Sequence, residues 1–320
     1  MDTLLSSPIY QVSELPAPQA ATLDAAVGNT PLLQLRRVAA GLPATVQVFA
    51  KAEWFNPGGS VKDRPALNII RTALMEGQLD GGRRLLDSTS GNMGIAYATF
   101  GAALGVAVTL VIPANASPER VAILRALGAE LILTDPSEGS DGAIRTVRQL
   151  AAEQPERYWY ANQYDNPANW QAHYFSTGPE IVQQTGCRVT HFVAGLGTSG
   201  TLTGTGRYLK EYNSEIQLIA VQPSLPFHGL EGLKHMPTSI QPGIFNPALP
   251  DQTIPIETES AHEMVRRLAR EEGLFVGISS GAAAVAALQV AATLEQGVVV
   301  AVFPDAGYKY LSDKELWSIP

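Results

Sequence analysis

From about residue 84 the chain alternates short apolar runs with amphipathic ones: LLDST, a helical GIAYATFGAALG, VAVTLVIP, a helical SPERVAILRALGA, ELILTD, a helical DGAIRTVRQLAAEQ, then RYWYANQ. Apolar runs of this length suit strands buried on both faces, and apolar spacings of three and four suit helices. Repeated β-α-β alternation of this kind requires crossover helices covering a mostly parallel sheet, which predicts a doubly wound domain. A second series follows: VTHFVAGLG, TGTGRYLKEYN, IQLIAVQP, the helix SAHEMVRRLAREEG, LFVGISS, GAAAVAALQVAATLEQ and VVVAVFPD. In that first helix Met264, Val265, Leu268 and Ala269 share one face, while Arg266, Arg267, Arg270 and Glu271 fall largely outside it, so the apolar face is expected to be core.

Residues 223 to 255 are rich in Pro and Gly with weak periodicity, and long irregular stretches inside compact domains are often functional. They are expected to rim the active site. The fold class expected is α/β: two open, mostly parallel-sheet α/β domains. Ligands of open α/β sheets sit beyond the carboxyl ends of the strands, which places the active site in the cleft between the two domains.

Composition narrows the function. The chain has 320 residues, 45% hydrophobic and 16% charged, with a net charge of −8, which suits an enzyme-sized globular protein and argues against electrostatic binding of nucleic acid. No stretch approaches the ~18 uninterrupted apolar residues of a membrane span. The single cysteine, Cys187, excludes an internal disulfide, and His173, His191, His228, His235 and His262 are scattered rather than set at ligand spacing, so no metal site is expected. A reducing cytoplasm fits this cysteine usage. The opening MDTLLSSPIYQVSELPAPQA carries an acid where a signal peptide has positive charge and is broken by Pro8, Pro16 and Pro18; it reads as an arm, either packed on a partner subunit or disordered.

Four segments carry candidate chemistry: NPGGSVKDRPA around Lys62, STSGNMG from Ser88, GLGTSGT from Gly195, and GISSGA from Gly277. In the third, Gly195, Gly197 and Gly200 satisfy G-x-G-x-x-G between a predicted strand and a predicted helix, the context of a dinucleotide fingerprint. An NAD-dependent dehydrogenase would also place an acidic residue at the end of the next strand to bind ribose; IQLIAVQP ends on Gln222 and Pro223 instead. The same loop can surround one phosphate with backbone N–H groups and the hydroxyls of Thr198, Ser199 and Thr201, or be a merely tight turn. Ser88, Thr89, Ser90 and Asn92 crowd a second strand-to-helix junction, where exposed N–H groups and hydroxyls suit a carboxylate; ordinary capping needs only one such residue. Taken alone, Lys62 reads as a solvated surface lysine. Together the segments supply what an aldehyde cofactor needs: a Schiff-base lysine, a phosphate cradle, and an asparagine and a serine to face its ring.

With these segments in this order, over essentially residues 26 to 313, the chain resembles the cysteine synthase branch of the fold-type II pyridoxal phosphate enzymes. THFVAGLGTSGTLTGTGRYLKE, QPGIFNPAL and DAGYKYLS are similar to the cysteine synthase B and O-phosphoserine sulfhydrylase type, which includes sulfur-carrier-dependent relatives. The resemblance implies a homodimer using pyridoxal 5'-phosphate. Residues 1–33 plus 56–166 would form a smaller domain carrying the substrate-carboxylate loop, and residues 34–55 plus 167–320 a larger one carrying the phosphate loop. Lys62 would hold the cofactor and act as the base; Asn92 would face its ring oxygen; Gly197, Thr198, Ser199, Gly200 and Thr201 would hold its phosphate; Ser279 would pair with its ring nitrogen. Thr89, Ser90, Asn92 and Gln163 would bind the substrate carboxylate. Asp305 and Tyr308 are left as structural.

A neutral hydroxyl at the ring nitrogen, rather than a carboxylate, makes a weaker electron sink, which disfavours transamination and favours loss of a β-substituent. The implied reaction replaces the O-acetyl or O-phospho group of an activated L-serine with sulfur, giving L-cysteine. Alternatives within the class are cystathionine β-synthase, a serine dehydratase and a diaminopropionate-precursor synthase. Two positions depart from or refine the pattern. Met93 stands where the family usually has threonine, losing a hydroxyl donor worth ~1.5–3 kcal/mol to a bound carboxylate. Lys234 aligns with an arginine near the leaving group and keeps the cation without the bidentate fork; alternatively it is a rim lysine in solvent. The sulfur donor stays open among sulfide, thiosulfate and a carrier-protein thiocarboxylate.

Overall fold

The computed structural model describes residues 22–89 and 91–317; the expected N-terminal arm lies outside them. Two sheets organise the chain. The smaller is built from β3 (Arg84–Ser88), β4 (Val108–Pro113), β5 (Glu130–Thr134) and β6 (Tyr158–Tyr160) in the order β5-β4-β3-β6, and the larger from β1 (Leu32–Leu35), β2 (Val46–Ala52), β7 (His191–Gly195), β8 (Gln217–Pro223), β9 (Gln252–Ile256) and β10 (Gly297–Phe303) in the order β1-β2-β10-β7-β8-β9. Every pairing is parallel except β1 with β2. The helices are α1 (Asp63–Met75), α2 (Asn92–Leu104), α3 (Pro118–Ala126), α4 (Gly139–Glu153), α5 (Pro167–Phe175), α6 (Thr177–Gln184), α7 (Gly200–Tyr212), α8 (Thr258–Arg267), α9 (Ile278–Ala291) and the short α10 (Lys314–Trp317).

Local chemistry explains the boundaries. Parallel strands covered on both faces read as continuous apolar runs: Leu110, Val111 and Ile112 of β4 and Val299, Val300 and Ala301 of β10 are fully buried. At the start of α3, Ser117 Oγ accepts the Arg120 N–H with Pro118 next in line, and at the start of α5 Asn166 Oδ1 accepts the Ala168 N–H ahead of Pro167, satisfying first-turn donors where proline has none to lose. Helix α2 stops at Gly105, whose φ of 71° is the left-handed turn that releases the chain into β4. Met264, Val265 and Leu268 are buried as their spacing predicts, with a single π turn over Leu268–Glu272 closing that helix.

Two readings need correction. LFVGISS forms no strand: Val276 makes one isolated bridge to Ala306, and α9 begins at Ile278, because the glycine-serine run turns the chain into a helix before a ladder can extend. The 223–255 stretch is not wholly irregular, since QTIPI forms the edge strand β9 against β8; its Pro255 is tolerated because the outer side of an edge strand needs no donor.

The larger sheet's core is Val, Ile and Ala from β2, β8, β10 and α9, and the smaller sheet packs α1 and α2 over β3 and β4. The carboxyl ends of β3 and β6 face those of β7 and β10 across a cleft, with a cavity of about 660 Å³ between them.

Candidate active site

Lys62 enters the cavity from the residue just before α1. Its loop is fastened to the end of β10: the Val61 N–H donates to the Pro304 carbonyl at 2.8 Å, and Ser60 bridges Asp305. Gly59, at φ 77°, makes the turn. Among the described residues the Lys62 amine has no hydrogen-bond partner, and burial pushes it down from the usual lysine range to about 8, opposed by the charge of Asp305. An amine in that condition is neutral often enough to serve as nucleophile or base.

Opposite lies the loop between β7 and α7. Ser199 takes a left-handed conformation (φ 69°), uncommon for a residue with a side chain, and this turns the N–H groups at the start of a 13-residue helix toward the loop. Gly197, Thr198 and Thr201 line the cavity. Gly200 has no room for a side chain, since a Cβ there would stand 2.0 Å from Asn169 Oδ1. Beneath the loop, α5 supplies two buried residues one turn apart: Asn169 donates to Thr198 Oγ1 at 3.2 Å and to the Gln163 carbonyl at 2.7 Å, and His173 Nε2 lies 3.3 Å from Thr201 Oγ1. Burial holds His173 near 3, far below the usual imidazole range, so it is a neutral partner for that hydroxyl. Ser279, at the start of α9, lines the cavity with no hydrogen-bond partner among the described residues.

The third wall is the junction of β3 and α2. Thr89, Asn92, Met93 and Gln163 line the cavity there; Ser90 lies outside the described residues. The Ser88 hydroxyl is buried without a partner among the described residues. Gln163 is held by Asp87, which accepts its N–H at 3.2 Å, the Ser88 N–H at 2.8 Å and the Tyr97 hydroxyl at 3.1 Å. Burial pushes the Asp87 carboxyl up to about 7, against these three donors. Met93 is buried among α2 neighbours. The Asn92 side chain meets Asp305 and Lys309.

The rim is formed by part of the 223–255 stretch, including His228, Glu231, Lys234 and Ser239. Lys234 Nζ sits 5.0 Å from the centre of the Tyr164 ring, and burial lowers its pKa. Glu231 pairs with Arg120 of α3, whose guanidinium also lies over Tyr310, so the rim is tied to the smaller sheet's side of the cleft.

Of the residues picked out in the sequence, Lys62, Thr89, Asn92, Met93, Gln163, Gly197, Thr198, Thr201, Lys234 and Ser279 line one cavity, while Ser199 and Gly200 shape the loop behind it. Asp87, Asn169, His173 and Lys309 went unassigned, and Asp305, left as structural, holds the Asn92 side chain. NPANWQAH, with a polar residue every fourth position on an otherwise apolar face, carries a signal for Asn169 and His173; Asp87 and Lys309 are single residues with no local pattern.

These residues fit pyridoxal phosphate: an uncommitted amine, an uncommitted neutral hydroxyl at Ser279, and a helix N-terminus with two threonines for a phosphate. The comparisons agree. Residues 23–305 match the family model described as pyridoxal-phosphate dependent enzyme, which places the chain in that class and sets aside the dehydrogenase reading of Gly195, Gly197 and Gly200. A cysteine synthase of Aquifex aeolicus (strain VF5) is 56% identical over 291 residues, covering 89% of each chain. A cysteine synthase B of Escherichia coli (strain K12) is 44% identical, covering 91% of this chain and 94% of the relative. The crystal structure of a cysteine synthase from Entamoeba histolytica superposes with a TM-score of 0.90 at 35% identity, covering 100% of this chain and 95% of that one. The chain belongs to the cysteine synthase family of pyridoxal-phosphate dependent enzymes.

Proposed function

We propose that this protein makes L-cysteine by replacing the β-substituent of an O-activated L-serine with sulfur. The observation that carries the reading is the Lys62 amine, unpartnered among the described residues and lowered to about 8, in a cavity whose walls are two anion-suited loops. Bound pyridoxal 5'-phosphate supplies an aldehyde for Schiff-base chemistry and an electron sink for Cα. Gly197, Thr198, Ser199, Gly200 and Thr201 would hold its phosphate, Ser279 and Asn92 would meet its ring, and Lys62 would anchor it.

The substrate carboxylate is read onto Thr89, Ser90, Asn92 and Gln163, fixed from behind by Asp87. Lys62, once released, would take the Cα proton as the Cβ–O bond breaks and acetate or phosphate leaves with its electron pair; the sulfur nucleophile would then form the new Cβ–S bond, and Lys62 would return the proton to Cα to give L-cysteine. Lys234 at the rim offers a cation to a departing anion, which suits phosphate as well as acetate. Met93 favours a second reading within the class, a diaminopropionate-precursor synthase, because it withholds a donor that cysteine formation usually has. A homodimer, a cytoplasmic location and a carrier protein as sulfur donor belong to the same proposal; no helix among the described residues is long and apolar enough to cross a membrane. So does the division into a smaller domain of residues 1–33 and 56–166 and a larger one of 34–55 and 167–320.

The test is the cofactor absorbance of the purified protein, with O-acetylserine and O-phosphoserine added separately, followed by sulfide and assay of cysteine. A visible band absent from Lys62→Ala, shifted by one donor and restored by sulfide with release of cysteine, is expected. A band that neither donor shifts moves the substrate elsewhere, and no band after reconstitution sinks the reading.

A further inference from the structure

Lys309 reaches back across the cleft to two segments of the candidate site at once. Its Nζ donates to Asn92 Oδ1 at 2.6 Å and to the carbonyls of Gly59 and Gly58 at 3.3 and 3.5 Å. On the other side of the same carboxamide, Asn92 Nδ2 donates to Asp305 Oδ2 at 2.7 Å, and that oxygen also accepts the Tyr310 hydroxyl at 2.8 Å. Asp305 is fully buried. It stands this close only because Gly277 has no side chain: a Cβ there would lie 2.1 Å from Asp305 Oδ1.

The two partners of Asn92 dictate which way its amide points. An ammonium only donates and a carboxylate only accepts. Rotating the amide by half a turn would set its NH₂ against Lys309 and its oxygen against Asp305, converting two charge-assisted bonds into two repulsions. The oxygen is thereby committed to Lys309 and one N–H to Asp305. The remaining N–H is the only uncommitted polar hydrogen of the side chain, and Asn92 lines the cavity. Asn92 is thus set as a donor, matched to an oxygen acceptor on whatever occupies the cavity.

We propose that Lys309 is a positioning residue that fixes the Asn92 carboxamide as a hydrogen-bond donor to the cofactor's ring oxygen. The proposal rests on the reading of Asn92 as a cofactor contact. Asp305 completes the clamp from the opposite side.

The experiment is a double-mutant cycle read as the affinity of the apoprotein for pyridoxal 5'-phosphate, measured by fluorescence titration in wild type, Lys309→Met, Asn92→Ala and the double variant, with far-ultraviolet circular dichroism as the folding control. Lys309→Met is expected to weaken binding about tenfold in the wild-type background, the scale of one charge-assisted hydrogen bond. In the Asn92→Ala background the same change should cost less than about twofold, because the contact it acts through is gone. Lys309→Arg, which keeps a donor cation, should recover most of the loss. Equal losses in both backgrounds would mean that Lys309 acts through Gly58 and Gly59 or through the fold, and would overturn the proposal. If Asn92→Ala weakens binding and Lys309→Met does not, the proposal fails while the site reading stands. If Asn92→Ala binds as wild type does, the reading of Asn92 fails and takes the proposal with it. Should Lys309→Met not fold, Lys309→Ala, which likewise removes the donor, is carried through the same cycle with the same criteria.

Discussion

Arg64 grips Glu180 through two parallel hydrogen bonds, Nη1 to Oε1 at 2.6 Å and Nη2 to Oε2 at 2.8 Å. Its Nε and Nη2 hold Glu53 in the same way at 2.7 and 2.8 Å. Lys51, fully buried, adds a second cation to the cluster, 2.5 Å from Glu180. Arg64 lies two residues after Lys62, so this network fixes the start of α1 against β2 and α6. Removing one partner leaves an uncompensated buried charge. Arg64→Met is expected to cost about 3–5 kcal/mol of unfolding free energy by urea titration; a loss below about 1 kcal/mol would show the network contributes little.

The same network gives an acid limb to stability. Burial alone would raise Glu53, but the charge and hydrogen bonds of Arg64, with Lys51 and Thr30, outweigh it and hold its carboxyl at about 2 against 4.5 for a free glutamate. Because the folded pKa is depressed, the stabilisation is fully present above about pH 4.5 and is lost as pH falls toward 2. Unfolding free energy measured between those limits should decline, and Glu53→Gln should flatten that slope.

Lys62 yields a kinetic prediction. With its amine lowered to about 8, the neutral fraction grows about tenfold per pH unit below that value and levels off above it. The rate at which apoprotein captures pyridoxal phosphate, followed by absorbance in a stopped-flow instrument, should follow that curve. A profile still rising near pH 10 would mean that the lysine is not desolvated as described.

Under the proposed function, Asp87 would act on substrate through Gln163, whose N–H it accepts. In Asp87→Asn one oxygen can still accept the Ser88 N–H, but an NH₂ then faces the Gln163 N–H, which loses its acceptor. KM for the activated serine should rise about tenfold, the scale of one unsatisfied buried donor, with the cofactor spectrum unchanged. A lost cofactor band would indicate that Asp87 supports the fold more broadly.

Met93 can be tested by restoring the hydroxyl. Met93→Thr should lower KM for O-acetylserine by up to about tenfold and cost about 2 kcal/mol in stability, since Met93 is only 3% exposed and packs in the α2 core. An unchanged KM with the stability loss would show that the cavity's carboxylate site does not use this position.

The alternation from LLDST to RYWYANQ was legible because buried parallel strands leave unbroken apolar runs between helical periods. The strands β1 and β2 and the edge strand β9 were not read, since LLQL and QTIPI are short and half polar. The cavity's loops were legible where glycines and hydroxyls cluster, at Gly195–Thr201 and around Asn92. Asp87 and Lys309 escaped notice because their roles come from tertiary neighbours: Asp87 from Gln163, 76 residues away, and Lys309 from Asn92, 217 residues away. No periodicity records such pairings.

The ladder of β2 against β10 runs from Val46 opposite Gly297 to Ala52 opposite Phe303, and the Lys62 loop hangs from the same strand's end through Pro304. On a ribosome, the segment bearing Lys62 emerges roughly 240 residues before its support, at ~5–20 residues per second. For that interval β2 has no β10 to pair with and Lys62 no seat. The seat of the lysine loop is therefore assembled only after β10 has been made, and a chain cut before β10 lacks the strand from which that loop hangs even though every residue of the loop is present.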